Sequence, residues 1–216
     1  MKSYFLFVGV FLLPHLCPSW VLAEGSPVII ILGDSISAAY NMETSQSWPA
    51  LLQERLDENG YKYQVFNSSI TGDTTQGGLG RLPRLLDKYP PALVIIELGG
   101  NDGLRGIQVD VTRANLSAMI ESSQAAGATV LLAEMRIPPN YGMTYTEQFN
   151  RSYGLLKEKY DIHLIPFLME DVALKPELMQ ADGIHPTAQA QPHILDTVWS
   201  VLEPQLIQAV NRGQVP

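Results

Sequence analysis

Short apolar runs alternate along the chain with longer stretches in which apolar side chains recur every three or four positions. The short runs lie at residues 27–32, 63–66, 93–98, 129–133 and 163–166, and each is predicted to form a strand. Runs such as 28–32 contain no polar residue, which is typical of strands that are buried on both faces of a parallel sheet. The short runs therefore predict a parallel sheet that is covered on both sides.

The longer stretches predict the helices that cover it. One of them has Thr144 and Glu147 at the spacing of a capping box, which indicates a helix start. The alternation of strands and helices predicts a three-layer α/β/α domain with right-handed crossovers, and the sequence has no repeat or linker that would divide it. The apolar residues that share a helix face are Trp48, Leu51, Leu52 and Leu56; Leu116, Met119 and Ile120; Phe149, Tyr153, Leu156 and Tyr160; and Ile194, Val198, Val201 and Leu202.

The first 23 residues have the pattern of a secretory signal peptide. Lys2 precedes an apolar run at 4–13, and Ala23 precedes Glu24 at the expected cleavage site. The apolar run is shorter than the ~20 residues that a membrane-spanning helix needs. We therefore expect residues 1–23 to be removed, residues 24–216 to form one domain, and the protein to be periplasmic or secreted, without a membrane anchor.

Removal of the leader changes the composition in two ways that bear on function. It takes away Cys17, the only cysteine, so the remaining domain can form neither a disulfide nor a cysteine-ligated zinc site. It also takes away Lys2 and leaves 13 basic against 22 acidic residues, a net charge of −9. This charge disfavours binding to nucleic acid or to anionic membrane surfaces, and its simplest consequence is solubility.

Three loops at the carboxyl ends of predicted strands carry polar residues suited to chemistry. Ligands bind at this edge of parallel α/β sheets. Ser35 follows the first strand in a Gly-Asp turn, with helix-forming sequence after it, and is either a nucleophile or a helix N-cap. Gly72 can offer a backbone N–H to an oxyanion, and Asn101 a side-chain amide. A turn with positive φ is the ordinary explanation of the glycines around Asn101.

A serine nucleophile needs a base, and residues 24–216 contain His163, His185 and His193. His163 begins a predicted strand and His193 lies in the last predicted helix, which favours structural roles for both. His185 lies in the turn-rich segment 182–186, where Asp182 can accept its Nδ1 proton and leave Nε2 facing a serine. The alternative is that Asp182 starts a turn and His185 is a surface residue. Because a zinc site needs three or four ligands, these two residues do not predict a metal.

Some common motifs are absent from the sequence. It has no Gly-x-Ser-x-Gly, which disfavours the α/β-hydrolase fold. The glycine-rich segment 72–78 is not followed by Gly-Lys-Ser/Thr, so it does not predict a phosphate-binding loop.

Taken together and in this order, Gly33-Asp34-Ser35, Gly72, Gly99-Gly100-Asn101-Asp102 and Asp182-x-x-His185 resemble the SGNH (GDSL-like) hydrolase family. The likeness covers all of residues 24–216 and is strongest to the bacterial periplasmic branch of thioesterase I, arylesterase and lysophospholipase. Ile36 stands where the name motif of the family has Leu. The resemblance implies a flavodoxin-like fold with five parallel strands in the order 2-1-3-4-5, and it implies no cofactor.

The resemblance also implies a role for each motif residue. Ser35 would be the nucleophile, His185 the general base and Asp182 the partner of that base. The N–H groups of Ser35 and Gly72 and the amide of Asn101 would form the oxyanion hole. The expected substrates are acyl esters, acyl thioesters or lysophospholipids, held by two loops that flank the site in the family. The predicted substrate-binding residues in these loops are Leu104, Arg105, Ile107, Ile137, Pro138 and Tyr141, unless the loops are ordinary Gly-rich and Pro-rich surface segments.

Two other functions fit the same sequence. A carbohydrate or peptidoglycan O-deacetylase of this family would use the same residues on acetyl esters. A non-catalytic periplasmic binding module would use the same crevice without attack by Ser35. No interface motif stands out in the sequence, so a monomer is expected.

Overall fold

The computed structural model describes residues 25–212, so the predicted leader and its cleavage site lie outside the described residues. The strands are β1 (Val28–Gly33), β2 (Gln64–Asn67), β3 (Pro91–Glu97), β4 (Thr129–Ala133) and β5 (His163–Ile165). They form one parallel sheet in the order β2-β1-β3-β4-β5. This confirms the number and the order of strands that the resemblance implied, and each strand begins and ends within two residues of its prediction.

Helices cover both faces of the sheet. α1 (Trp48–Glu58) and α6 (Gln191–Asn211) pack on one face, and α2 (Thr75–Lys88), α4 (Val109–Ala125) and α5 (Met143–Tyr160) pack on the other. A short helix, α3 (Gly100–Leu104), follows β3. Ile29 and Ile31 of β1 face one layer of helices and Ile30 and Leu32 face the other, and all four are fully buried. Burial on both faces explains the unbroken apolar run in β1 and confirms the three-layer α/β/α arrangement.

The predicted apolar stripes face the sheet. Trp48, Phe149 and Tyr153 are the largest fully buried side chains among the described residues. Burying a side chain of this size stabilises the fold by about 1.5–3 kcal/mol. Leu51, Tyr160 and Val201, at the edges of their stripes, are only partly buried.

The helix α2 is absent from the sequence prediction. Its 14 residues include Pro83 and several glycines, which are poor helix formers. The helix nevertheless begins at a Thr74 cap, whose side chain accepts the Gly77 N–H. A β-carbon at Gly78 would overlap the Leu98 side chain. The glycine that obscures the helical pattern is therefore needed for close packing of α2 on the sheet.

Two local predictions are wrong. The segment after Ser35 forms successive turns and no helix, because Ala39 and Asn41 have φ values of 58° and 53°. The capping box expected at Thr144 is not formed either. α5 begins at Met143, one residue before it, and the N-cap position is taken by Gly142 with a φ of 94° and no side-chain cap.

None of the helices within residues 25–212 is both long enough and apolar enough to cross a membrane.

Candidate active site

Loops at the carboxyl ends of the strands bring the predicted catalytic residues together. Ser35 follows β1, and His185 and Asp182 lie in the irregular segment between β5 and α6. The His185 Nε2 atom is 2.9 Å from the Ser35 Oγ atom, and its Nδ1 atom is 2.7 Å from Asp182 Oδ2. Both distances lie in the range of hydrogen bonds. If Nδ1 carries the ring proton and donates it to Asp182, Nε2 accepts the Ser35 hydroxyl.

Asp182 both shapes the loop and orients the imidazole. Its Oδ1 atom accepts the backbone N–H of His185 at 3.0 Å and that of Ile184 at 2.9 Å. The bond from the His185 N–H, followed by that from Ile184, lowers the pKa of Asp182 to about 2. The carboxylate is therefore charged throughout the neutral range. The sequence left two alternatives for Asp182, which were to start a turn or to hold the histidine. The side chain does both, because Oδ1 bonds the backbone of the turn and Oδ2 bonds the imidazole.

Tyr40 covers the imidazole and was not predicted as a site residue. Its ring centroid lies 4.1 Å from that of His185, with a 32° angle between the planes. The left-handed conformations of Ala39 and Asn41 on either side turn the chain so that the ring reaches the histidine. A sequence pattern does not encode this contact, since it depends on where the His185 loop lies.

The three predicted oxyanion donors lie on neighbouring segments. Among the described residues, the backbone N–H groups of Ser35 and Gly72 donate to no protein acceptor. Gly72 has a φ of 75°, which favours glycine. The Asn101 Nδ2 atom donates one hydrogen to Asp34 Oδ2 at 2.9 Å, which leaves its second hydrogen for a ligand. The Arg105 guanidinium donates to the Gly72 carbonyl at 2.8 Å and steadies that turn.

A buried carboxyl pair lies beneath the nucleophile. Glu97, at the end of β3, is fully buried, and its Oε2 atom accepts the Asp34 N–H at 3.1 Å and the Ser37 hydroxyl at 2.6 Å. Burial raises the pKa of Asp34 to about 6. Burial and the nearby Asp34 carboxyl raise the pKa of Glu97 well above its usual value. The pair thus keeps a proton at a pH where exposed carboxyls have lost theirs. A lone acid in an apolar strand was the signal that could have found Glu97.

Polar side chains also connect the loops that carry the oxyanion donors. Buried Asp102, next to Asn101, accepts the Thr75 N–H at 2.9 Å and so joins α3 to the start of α2. Arg81 of α2 pairs with Asp73, which follows Gly72. The Arg81 guanidinium also donates to the carbonyls of Ser68 at 2.6 Å and Gly33 at 3.3 Å. These bonds fix the Gly72 loop relative to the turn that carries Ser35.

A pocket of about 250 Å³ opens beside Ser35 and His185. A larger hollow of about 480 Å³ is lined by Asp182 but by neither Ser35 nor His185, so the smaller pocket is the one that the reacting atoms face. Within residues 25–212, no three His, Cys, Asp or Glu side chains are grouped to hold a metal ion. Apolar side chains lining the smaller pocket are Ile36, Leu104, Met135, Phe167, Leu168, Met169 and Ile184.

The predicted substrate-binding residues lie in several places. Leu104 lines this pocket, whereas Arg105 contacts the Gly72 turn. Ile137 is buried against Gly103, where a β-carbon would overlap it. The other three are not among the lining residues: the Ile107 carbonyl accepts the Tyr145 hydroxyl, Pro138 is exposed, and the Tyr141 hydroxyl donates to the Leu104 carbonyl. The Phe167–Met169 wall was missed, although it directly follows the strand predicted at 163–166.

The sequence of this chain matches the model of a known protein family. The model of the GDSL-like Lipase/Acylhydrolase family matches residues 31–191, which include all five motif positions. The chain belongs to the GDSL-like lipase/acylhydrolase family. The resemblance drawn from the sequence motifs is thereby confirmed.

Relatives within this GDSL-like family match most of the chain. Esterase TesA of Pseudomonas aeruginosa is 52% identical over 178 residues, which cover 82% of this chain and 89% of that protein. Thioesterase 1/protease 1/lysophospholipase L1 of Escherichia coli K12 is 47% identical over 182 residues, which cover 84% and 86%. The solved structure of the psychrotrophic esterase EstA from Pseudoalteromonas sp., inhibited by monoethylphosphonate, has a TM-score of 0.81 and 43% identity, covering 84% of this chain and 99% of that chain.

Proposed function

We propose that this GDSL-like hydrolase cleaves carboxylic esters and thioesters of acyl chains through an acyl-enzyme on Ser35. The observation that carries the proposal is the continuous hydrogen-bonded path from Asp182 through His185 to the Ser35 hydroxyl. This geometry suits a serine that is activated by a neighbouring base. The relatives named esterase TesA and thioesterase 1 are hydrolases of the same bond types.

The reaction has two halves. His185 Nε2 takes the Ser35 proton as Oγ attacks the carbonyl carbon, and Asp182 stabilises the imidazolium that results. The Ser35 and Gly72 N–H groups and the Asn101 amide hold the oxyanion. His185 then protonates the leaving alcohol or thiol. In the second half His185 deprotonates a water, which attacks the acyl-enzyme. The bond from the acyl carbon to Oγ then breaks, His185 returns the proton to Ser35 Oγ, and the acid is released.

The pocket supports an acyl chain as the group that is transferred. Leu104, Phe167 and Met169 form apolar walls beside Ser35, and burying a chain there gains about 0.8 kcal/mol per CH₂. We propose Leu104 as a direct contact. We propose that the other five predicted residues support the loops around the pocket; they are Arg105, Ile107, Ile137, Pro138 and Tyr141. The lysophospholipase named among the relatives extends the proposed substrates to lysophospholipids.

A substrate panel tests this proposal. It compares p-nitrophenyl esters from acetate to palmitate, acyl-CoA thioesters, a lysophospholipid and acetylated xylan, with Ser35→Ala as the control. We expect kcat/KM to rise with acyl length up to the length that the pocket accepts, and no turnover by Ser35→Ala. A preference for acetylated carbohydrate would instead favour an O-deacetylase, and activity in Ser35→Ala would overturn the proposed nucleophile.

We also propose that the protein acts as a periplasmic monomer after cleavage at Ala23. The support is the leader pattern of residues 1–23. The intact mass of the protein recovered from a periplasmic fraction tests the cleavage. Light scattering coupled to size-exclusion chromatography tests the oligomeric state, and a mass twice that found for the single chain by mass spectrometry would exclude a monomer.

A further inference from the structure

We propose that Gln180 is a positioning residue of this reaction, whose carboxamide holds the loop of His185 in register with the loop of Ser35. The inference rests on the proposed function, since it concerns how the base is kept next to the nucleophile. It assigns a role to a side chain that touches neither the reacting atoms nor the apolar pocket.

The base lies on a segment with little regular structure. Residues 179–187 form neither helix nor strand, and one antiparallel bridge, between Met179 and Pro186, closes the segment into a loop. Gly183 has a φ of 69° within it. The position of His185 relative to β1 therefore depends on hydrogen bonds to side chains rather than on a helix or a strand.

Gln180 makes three hydrogen bonds within this loop. Its backbone N–H donates to the His185 carbonyl at 2.8 Å, and its carbonyl accepts the Gly183 N–H at 2.9 Å. Its side-chain Nε2 donates to the Pro186 carbonyl at 2.9 Å. One residue thus contacts the loop before, at and after the histidine.

The same carboxamide reaches the nucleophile loop. Nε2 donates its other hydrogen to the Tyr40 carbonyl at 3.0 Å, and Oε1 accepts the Asn41 Nδ2 hydrogen at 3.1 Å. Both amide hydrogens and the amide oxygen of Gln180 are therefore used, and two of the three bonds cross between loops about 140 positions apart in the chain.

Tyr40 connects these bonds to the chemistry. Its carbonyl is held by Gln180 while its ring lies over the His185 imidazole. The Ala38 N–H bonds to the Asp34 carbonyl and the Met42 N–H bonds to the Ala39 carbonyl, so two successive turns connect Ser35 with Tyr40. A change in the Gln180 contacts would shift Tyr40 and His185 together, and with them the 2.9 Å distance from Nε2 to Oγ.

The expected effect is on kcat. Misplacing a reacting group by about 1 Å can cost on the order of 10²-fold in rate, so Gln180→Leu should lower kcat by roughly 10–100-fold. KM should change little, because the walls at Leu104, Phe167 and Met169 make no bond to Gln180. Asn41→Ala removes one of the three side-chain bonds and should give a smaller loss in the same direction.

A matched control is available in the chain. Gln53 also uses its whole carboxamide: Nε2 donates to the Tyr63 carbonyl and to Asp57 Oδ1, both at 3.0 Å, and Oε1 accepts the Val65 N–H at 2.7 Å. Gln53→Leu removes comparable bonds between α1 and the β2 edge, away from the pocket. It should lower the melting temperature and leave kcat per folded molecule unchanged.

The experiment measures kcat and KM for p-nitrophenyl butyrate, the rate of inactivation by a fluorophosphonate, and Tm for the parent protein and the three variants. We expect kcat and the inactivation rate to fall by the same factor in Gln180→Leu, and by a smaller factor in Asn41→Ala. In neither variant should the loss of activity follow the change in Tm. An unchanged kcat in Gln180→Leu, or an equal loss in Gln53→Leu, would overturn the inference. Failure of the parent protein to be labelled at Ser35 would instead overturn the proposed function.

Discussion

Glu97→Gln should make the stability of the protein less sensitive to pH. Glutamine has nearly the shape of glutamic acid, and its oxygen can accept the Asp34 N–H and the Ser37 hydroxyl as Glu97 Oε2 does. The glutamine NH₂ group would occupy the position of Glu97 Oε1, an atom that has no hydrogen-bond partner among the described residues. The substitution therefore keeps the two hydrogen bonds and removes the titration. Any cost of burying the amide N–H groups is the same at every pH, so it leaves the pH dependence unaffected.

The sign and size of the effect follow from proton linkage. The pKa of Glu97 is raised in the folded protein, so above pH ~4.5 the unfolded chain loses a proton that the folded protein keeps. Stability from this group is present at low pH and is lost as pH rises towards the raised pKa, by up to ~1.4 kcal/mol per pH unit. Between pH 5 and 7 the free energy of unfolding of Glu97→Gln should thus rise relative to that of the parent protein by at most about 2.7 kcal/mol. Asp34, with its pKa raised to about 6, keeps part of the pH dependence in both proteins.

Urea unfolding at pH 5, 6 and 7 measures this difference. Glu97→Leu is the control, because it also removes the titration but leaves two buried donors without an acceptor. Since each unsatisfied donor costs about 1–3 kcal/mol, Glu97→Leu should be less stable than the parent by roughly 2–6 kcal/mol at pH 5. Free energies of unfolding for the parent and Glu97→Gln that run parallel from pH 5 to 7 would refute a raised pKa at Glu97.

Three further substitutions test individual contacts in the site. Asn101→Ala removes one oxyanion donor and should lower kcat about 10²–10³-fold with little change in KM; a loss confined to KM would argue against that role. Asp182→Asn should lower kcat by roughly 10⁴-fold at neutral pH, because the amide oxygen stays with the two backbone N–H groups and the NH₂ group then donates to Nδ1, which favours the wrong tautomer of His185. A loss below 10-fold would count against Asp182 as the partner. Phe167→Ala should reduce kcat/KM for octanoyl esters on the order of 10-fold more than for acetyl esters, and an equal loss on both would show that Phe167 does not contact the acyl chain.

The apolar pattern was sufficient to predict the three layers of the fold because its main determinants are local or periodic, whereas the order of the strands came from the family resemblance. Continuous apolar runs such as 28–32 specify strands with two buried faces, and the stripes at Trp48 and Phe149 specify the helix faces that cover them. α2 was missed because Pro83 and its glycines mask the helical pattern, although Gly78 is required by close packing. Tertiary packing here overrides local helix propensity.

Ser35, Gly72 and Asn101 could be placed at one edge of the sheet because their loops follow β1, β2 and β3. Asp182 and His185 lie well after β5, and the family resemblance was needed to connect them with the other three. The residues that support these five could not be predicted. Tyr40 and Gln180 act through contacts between loops about 140 residues apart, which neither spacing nor composition encodes. Glu97 was read as one position of an apolar strand, and its bonds to the Asp34 turn became visible only in the folded chain.

Mass spectrometry of the trapped enzyme tests the central assignment most directly. The protein is treated with a fluorophosphonate at neutral pH, digested, and the modified peptide sequenced, with Ser35→Ala and His185→Ala treated in parallel. We expect one adduct per chain, located on Ser35, no adduct in Ser35→Ala and slow labelling in His185→Ala. Stoichiometric labelling of a different residue, or of His185→Ala at the rate of the parent protein, would contradict the account.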